Sequence, residues 1–287
     1  MKRAFELGEL YKDLRIARGL KLKDVVHKNL SIAQLSRFEN GLSMLSADKL
    51  LLAIEGIHMT FSEFGHALKN YEVSHFFKLT NRLSKLQSLS DIEGIQKILR
   101  TYESFEIFDV YNRLNKLIID VAIFTLDHKH YISDDDKEFL TTYLYSIEEW
   151  TEYELVLFGN TMVILSDEDL LFLGKSFVKR YKLYLSILSN KKATEKSLLN
   201  LILILIERKR YYHANYFIYR LEEILTYQDM FARVTLTFFK LLVSYLQNEE
   251  KIDKTKLINY IKIVQELDNP ILANFLKRNL EELTQNQ

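Results

Sequence analysis

The sequence predicts an all-α protein, because almost nothing in it interrupts a helix. Only one proline, Pro270, and eight glycines occur among 287 residues, and these are the residues that break helices or supply left-handed backbone. Sandwiches and barrels need many Gly- and Pro-rich turns, and a doubly wound α/β fold usually carries a glycine-rich loop. Apolar residues make up 48% and charged residues 27% of the chain, which is ordinary for a folded protein.

Five short helices are predicted in the first 66 residues. The first carries an apolar stripe at positions 7, 10, 11 and 14 and ends near Gly19, where a left-handed turn is easy. A second short helix covers about residues 21–28. The third ends at residues 40–41 and the fourth at Gly56. The residues that cap the starts of the last three helices are Ser31 with Gln34, Ser46, and Thr60 with Glu63.

Longer amphipathic helices follow, which favour helical hairpins stacked into a TPR-like α-solenoid. Spacings of about 30 to 45 residues separate every other helix start. The capping signals that mark these starts are Ser90-Asp91, Ser133, Ser166, Thr194-Glu195, Gln228-Asp229 and Asp253. Residues 155–165, with Gly159-Asn160 in the middle, also fit a β-hairpin, but a helix is preferred because no partner sheet is predicted nearby. We expect a head at residues 1–66, a linker at 67–71 and the repeat domain at 72–287.

Charge is distributed unevenly, although the whole chain is neutral. Residues 2–37 hold nine Lys or Arg against four Asp or Glu, a net charge of +5, which favours a nucleic-acid partner for the head. The chain has no cysteine, which fits a reducing cytoplasm. The first ten residues reach acidic side chains before any long apolar run, and the longest apolar stretch, residues 198–206, is too short for a membrane span. A cytoplasmic protein without a membrane partner is expected.

The second and third helices read as a helix-turn-helix. The recognition helix would run from Ser31 to Glu39, with Ala33, Gln34 and Arg37 exposed. Ile32, Leu35 and Phe38 would face the core. In the major groove Arg can bridge guanine, Gln can bridge adenine and Ala can meet a thymine methyl group. The basic residues predicted to hold phosphates are Arg15, Arg18, Lys21, Lys23 and Lys28. The alternative is that these cations are a solvated face and that Gln34 is only a capping partner.

Two stretches carry a family resemblance. Residues 7–20, LGELYKDLRIARGL, and residues 30–41, LSIAQLSRFENG, resemble a Cro/C1-type helix-turn-helix. The EEWTEYE run at residues 148–154 and the LFGN run at residues 157–160 are similar to a stretch in the C-terminal domain of the Rgg/MutR transcription regulators of Gram-positive bacteria. The chain departs from the pattern at Lys21-Leu22, where many relatives have Ser/Thr-Gln, so the usual Gln phosphate contact is missing and Lys21 or Lys23 is the candidate substitute.

The resemblance implies a homodimer that binds pseudo-palindromic double-stranded promoter DNA. It also implies a C-terminal domain that senses a short hydrophobic peptide imported into the cytoplasm. Aromatic rings and carboxamides suit a groove for an extended peptide, and arginines suit its carboxylate. The candidate peptide-binding residues are Trp150, Tyr153, Asn160, Arg180, Tyr181, Tyr184, Asn215, Tyr216 and Arg220. The alternative is that these aromatics are core residues and the arginines are solvated.

Apolar stripes in the last helices fit either a dimer interface or the closing of the solenoid. They contain Phe238, Leu242, Tyr245, Ile258, Ile261, Phe275 and Leu276. Two-fold operator recognition favours the dimer.

No enzyme class is favoured, and no cofactor or metal is expected. Gly174-Lys175-Ser176 matches the end of a phosphate-binding loop, but Asp169 stands where that motif needs glycine. His128 and His130 lack further ligands of zinc-site spacing. The acidic runs at residues 134–136 and 167–169 fit helix starts better than a calcium loop. A helical scaffold without DNA binding is the main alternative, and a nucleotide-hydrolysing regulator that uses Lys175 is a third.

Overall fold

The computed structural model describes residues 4–103, 109–180, 185–248 and 253–284. Within these residues the chain forms α-helices and one 3-10 turn, Met162–Ile164, and has no strand beyond an isolated bridge. The all-α prediction is therefore confirmed. The first six helices are α1 Ala4–Ala17, α2 Leu22–Val25, α3 Ile32–Glu39, α4 Ala47–Gly56, α5 Phe61–Leu68 and α6 His75–Ser88. The next ten are α7 Ile92–Glu103, α8 Val110–Phe124, α9 Asp134–Ser146, α10 Glu152–Thr161, α11 Asp167–Arg180, α12 Leu188–Glu207, α13 Tyr211–Glu222, α14 Met230–Leu246, α15 Lys254–Glu266 and α16 Pro270–Thr284.

The chain divides into two compact units, Met1–Arg82 and Leu83–Gln287. The division falls inside α6. The narrower head at residues 1–66 and the linker at residues 67–71 stay a prediction.

The five head helices begin and end close to the predicted positions. In both predicted capping boxes the side chain at the helix start accepts from the backbone: Gln34 N lies 3.2 Å from Ser31 Oγ and Glu63 N lies 3.2 Å from Thr60 Oγ1. Gly19 and Gly41 follow α1 and α3 with a φ of 69°. Only α2 differs clearly, since it is a single turn of four residues.

The interior of the head is built around the Tyr11 ring of α1. Its hydroxyl donates to Ala53 O at 2.9 Å, and the ring lies 5.9 Å from the Phe38 ring and 6.5 Å from the Phe64 ring. The fully buried side chains around it include Leu30, Leu35, Ile54 and Ile57.

Gly8 lets α1 approach the end of α3 backbone to backbone. A Cβ atom at this position would lie 1.9 Å from Phe38 O and 3.3 Å from Glu39 Cα, well inside van der Waals contact. We expect Gly8→Ala to destabilise the head by at least about 2 kcal/mol, because two helices must move apart. Gly65→Ala is a matched control, since a Cβ atom added there would meet nothing within 4 Å. Urea unfolding of both variants checks this, and equal midpoints would contradict it.

The capping signals in the sequence correctly predicted most helix starts in the second unit. Asp91, Ser133, Ser166 and Asp253 accept from the backbone N–H three residues on, at 2.8 to 3.1 Å. The start predicted at Thr194-Glu195 is wrong, because α12 begins six residues earlier at Leu188 and both residues are buried within it.

The even-numbered helices form a continuous row in the second unit. Contacts join α8 to α10, α10 to α12, α12 to α14 and α14 to α16, and α7, α13 and α15 pack against this row. Neighbours in the row come close at Gly159, whose added Cβ would lie 2.7 Å from Ser197 Oγ. Ser197 Oγ donates to Leu155 O at 2.8 Å and Asn200 Nδ2 donates to Gly159 O at 3.0 Å. Gly159-Asn160 thus lies in a helix, not in a hairpin turn.

Most of the apolar stripe in the last helices is buried within the chain itself. Phe238, Leu242 and Leu276 are fully buried and Ile261 is nearly so, whereas Ile258 is exposed. This stripe therefore closes the helical unit, and most of it is not available to a second chain. None of the described helices is long and apolar enough to cross a membrane.

Candidate functional site

A helix-turn-helix is formed by α2, a tight turn and α3. The turn is closed by two reciprocal backbone bonds, His27 N to Leu30 O at 3.2 Å and Leu30 N to His27 O at 2.9 Å. Leu35 and Phe38 hold α3 in the head with no exposed surface. Ile32 was expected in the core as well, but it is 48% exposed, because the first residue of α3 lies beyond the edge of the packed interior.

Most of the residues predicted to contact DNA lie at the surface. On α3 and its cap, Ser31, Ala33 and Arg37 are exposed and Gln34 is partly exposed. The cations around this helix that reach the surface, which we call the head cations, are Arg18, Lys21, Lys23, Lys28 and Arg37. At α2, Lys21 N donates to Asp24 Oδ2 at 2.7 Å, so the departure from the family pattern at Lys21-Leu22 still leaves a capped helix.

Arg15 is the exception, because the structure places it inside the head. Its side chain makes two parallel bonds to Glu39, Nε to Oε1 at 2.6 Å and Nη2 to Oε2 at 2.7 Å, and Nη1 donates to Leu20 O at 2.5 Å. Arg15 is 7% exposed and Glu39 is 5% exposed. The hydrogen bond to Glu39 raises the pKa of Arg15. The predicted phosphate contact of Arg15 is therefore corrected: this arginine joins α1, the turn after it and α3.

Gln34 has a structural role in α3. Its Oε1 accepts from Ser31 N at 3.2 Å while its own backbone N–H donates to Ser31 Oγ. The capping role that the sequence left open is thus present.

Trp150, a predicted peptide contact, belongs to the core of the second unit. It is 4% exposed, stacks on Phe177 with ring centroids 5.7 Å apart and meets Phe158 at 5.1 Å. Trp150 is buried because the helix that begins just after it, α10, packs against both α8 and α12.

Two other candidates lie on α10. Tyr153 is half-buried, with its ring 5.3 Å from the Tyr111 ring, and burial raises the pKa of Tyr153. Asn160 is exposed and its Nδ2 donates to Val156 O at 2.7 Å. Asn200 of α12 is also exposed, and its bond to Gly159 O places it beside Asn160 in the row.

The remaining candidates lie on α13 or outside the described residues. Asn215 and Tyr216 are exposed, whereas Arg220 is partly buried and pairs with Glu223 at 2.6 Å. Helix α13 packs on the row and is not part of it, so the structure does not gather all the candidates into one surface. The side chains of Arg180, Tyr181 and Tyr184 lie outside the described residues.

Sequence reasoning missed a buried charged cluster at the start of α12 and α14. Lys191 Nζ donates to Asp229 and lies 3.6 Å from Glu195 Oε1. Burial would raise the pKa of Asp229, but Lys191 and two donors on Thr226 lower it to about 2. Burial and the charge of Asp229 raise the pKa of Glu195 above its ordinary value of 4.5. The sequence analysis names residues 194–195 and 228–229 only as capping signals, which do not predict a charged cluster.

Glu195→Gln should leave the protein at least as stable at neutral pH. Since the pKa of Glu195 is raised by folding, its carboxylate lowers stability as pH rises above about 4.5. The glutamine has no such charge, and Lys191 keeps Asp229 as its partner. Urea unfolding between pH 4 and 8 checks this: the variant should lose less stability than the wild type as pH rises. A steeper loss in the variant would contradict the expectation.

The residues considered for enzyme chemistry have packing or capping partners. Gly174 lies within α11, and its added Cβ would lie 2.8 Å from Leu201 Cδ2. His130 Nε2 lies 2.9 Å from Asp120 Oδ1. The acidic runs start α9 and α11: Asp136 bonds to Arg113, and Asp167 bonds to Arg208 and Arg210. Among the described residues no group of three or more His, Asp or Glu could hold a metal ion.

Solved structures that share this fold include the following three. The Streptococcus dysgalactiae SHP pheromone receptor Rgg2 matches with a TM-score of 0.79 and 22% identity, over 96% of this chain and 100% of that chain. A protein from Listeria monocytogenes EGD-e gives 0.80 and 20%, over 100% and 99%. PrgX in complex with cCF10 gives 0.72 and 16%, over 99% and 94%.

Residues 96–278 match the family model for the C-terminal domain of the HTH-type transcriptional regulator Rgg. Together with the helix-turn-helix of α2 and α3, this match places the protein in the class of helix-turn-helix transcription regulators. The chain belongs to the Rgg family, as the resemblance at residues 148–160 predicted.

Proposed function

We propose that this protein is a sequence-specific DNA-binding transcription regulator that acts in the cytoplasm and responds to a short hydrophobic peptide. The observation that carries the DNA-binding part is the capped α3, exposed along one side and accompanied by the five head cations. Arg37 is the candidate for reading guanine, and the other four cations would hold phosphates. A homodimer is proposed because one head covers only a half-site.

Titration of labelled upstream DNA at several salt concentrations tests this proposal. Arg18→Ala should reduce the slope of log affinity against log salt by about 1, because one phosphate contact is lost. Arg37→Ala should weaken binding to the preferred sequence by about 10- to 100-fold, as expected for a lost bidentate base contact. Lys277→Ala, an exposed cation of α16, is the matched control. Absence of salt-dependent binding would favour the helical scaffold instead.

We place the peptide-binding site on the exposed surface where α10 and α12 meet. Asn160 Nδ2 and Asn200 Nδ2 both donate to backbone oxygens of α10. Each carboxamide also carries an oxygen, which can accept from a peptide N–H group. Two solved structures of this fold support such a ligand: one is a pheromone receptor, and the other is a bacterial peptide pheromone/receptor complex. Tyr153 lies on the same helix, whereas Trp150 is left out because it is buried.

Mass spectrometry of material that co-purifies with the protein from its own host tests the sensor. We expect a short peptide that is retained by the wild type and lost from the Asn160→Ala, Asn200→Ala double variant. Asn274→Ala, an exposed asparagine of α16, is the control. If wild-type protein carries no peptide and binds none from culture medium, the sensor proposal fails while the DNA-binding proposal stands.

A further inference from the structure

Ile32 is a large apolar side chain that α3 exposes at its first turn. It is 48% exposed, although Leu35 and Phe38 of the same helix are fully buried. The residues beside it, Ser31 and Ala33, are exposed too. Ile32 thus contributes little to the head core. Its exposure at the first turn of the recognition helix leaves this side chain available to a partner.

The surroundings of Ile32 favour DNA as its partner. The head cations Lys21, Lys23 and Lys28 precede it and Arg37 follows one turn after Ala33. A surface with this excess of positive charge suits phosphates on both sides of a groove. The N-terminal residues of a recognition helix are the ones that reach base edges. Among the four bases, only thymine presents an apolar group, its C5-methyl, in the major groove.

We propose that Ile32 is a specificity-determining residue that reads a thymine through contact with its methyl group. This inference rests on the proposed DNA-binding function. The branched Cβ of isoleucine leaves few rotamers in a helix, so little side-chain entropy is lost on binding. Two residues of α3 would then contact different base groups in the major groove. Arg37 would bond to the acceptors of guanine, and Ile32 would contact the methyl group of thymine.

Uracil substitution tests the contact, because uracil differs from thymine only by the missing methyl group. The full chain selects its preferred duplex from a random pool, and each thymine of that duplex is then replaced by uracil in turn. At one thymine per half-site the wild type should lose about fourfold in affinity, the value of one buried methyl group. Ile32→Ala should bind the thymine duplex more weakly and show no further loss on the uracil duplex. Ile32→Val should lie between the two.

Leu51→Ala is the matched control, since Leu51 of α4 is 45% exposed, and it should respond to uracil as the wild type does. If no uracil substitution weakens the wild type, or if Ile32→Ala loses affinity equally on both duplexes, the inference is overturned while DNA binding stands. If the wild type selects no sequence at all, the proposed function falls and the inference falls with it. Thermal unfolding of each variant separates a loss of contact from a loss of fold.

Discussion

Arg15→Ala is expected to unfold the head, with a loss of about 3 to 5 kcal/mol, although the residue reads as a surface cation in the sequence. The substitution leaves the Glu39 carboxylate buried without its partner, and breaking one side of a buried pair has this effect. It also removes the donor to Leu20 O that fixes the turn after α1. Hydrogen exchange of the α1 and α3 amides measures the change. DNA binding should be lost as a consequence of unfolding.

Two controls separate this effect from lost charge. Arg18→Ala removes the same charge from an exposed position three residues later and should leave exchange in α1 and α3 unchanged. The Arg15→Met, Glu39→Met double variant should recover much of the stability, because apolar side chains can replace a buried pair. The fluorescence of Trp150, the single tryptophan of the chain, reports unfolding of the second unit. This transition should occur at the same urea concentration in all of these variants. A stable Arg15→Ala head with weakened DNA binding would contradict the structural role.

Trp150→Ala is expected to destabilise the second unit by about 3 to 5 kcal/mol, because it leaves a large cavity between Phe158 and Phe177. Trp150→Phe should lose much less, since a ring remains to stack on Phe177. Circular dichroism during urea unfolding measures both. Tyr153→Ala is the comparison in the same segment, and it should destabilise the second unit less because the Tyr153 ring is only half-buried. If Trp150→Ala unfolds like the wild type but no longer retains peptide, Trp150 lines the groove after all.

The sequence predicted the helices of the head well because their ends are fixed locally. The capping boxes at Ser31 and Thr60 and the glycines after α1 and α3 act within a few residues of where they stand. The same applies to the starts of α9, α11 and α15. The family was also predicted, because the runs at residues 148–154 and 157–160 are similar to a stretch in the C-terminal domain of that family.

The direction in which a side chain points was predicted less well. The sequence suggests a phosphate contact for Arg15, a groove contact for Trp150 and a core position for Ile32, whereas the structure buries Arg15 and Trp150 and exposes Ile32. Each depends on a partner distant in the chain or on the edge of a packed region: Glu39 is 24 residues from Arg15, and Phe177 is 27 residues from Trp150. Helical periodicity predicts which residues share one face of a helix, but it does not predict which other helix packs against that face. Glu195 and Asp229 were missed for the same reason.

The row of even-numbered helices also bears on how the second unit folds. Each helix of the row contacts the next even-numbered one, and α13 and α15 pack against their neighbours in the row, so contacts join segments close in sequence. Low contact order of this kind allows fast folding that can begin at several places. The local free energy of opening should also differ along the row, since its two end helices, α8 and α16, each have a neighbour in the row on one side only. Opening should therefore begin at these ends and reach the buried centre of α12 last.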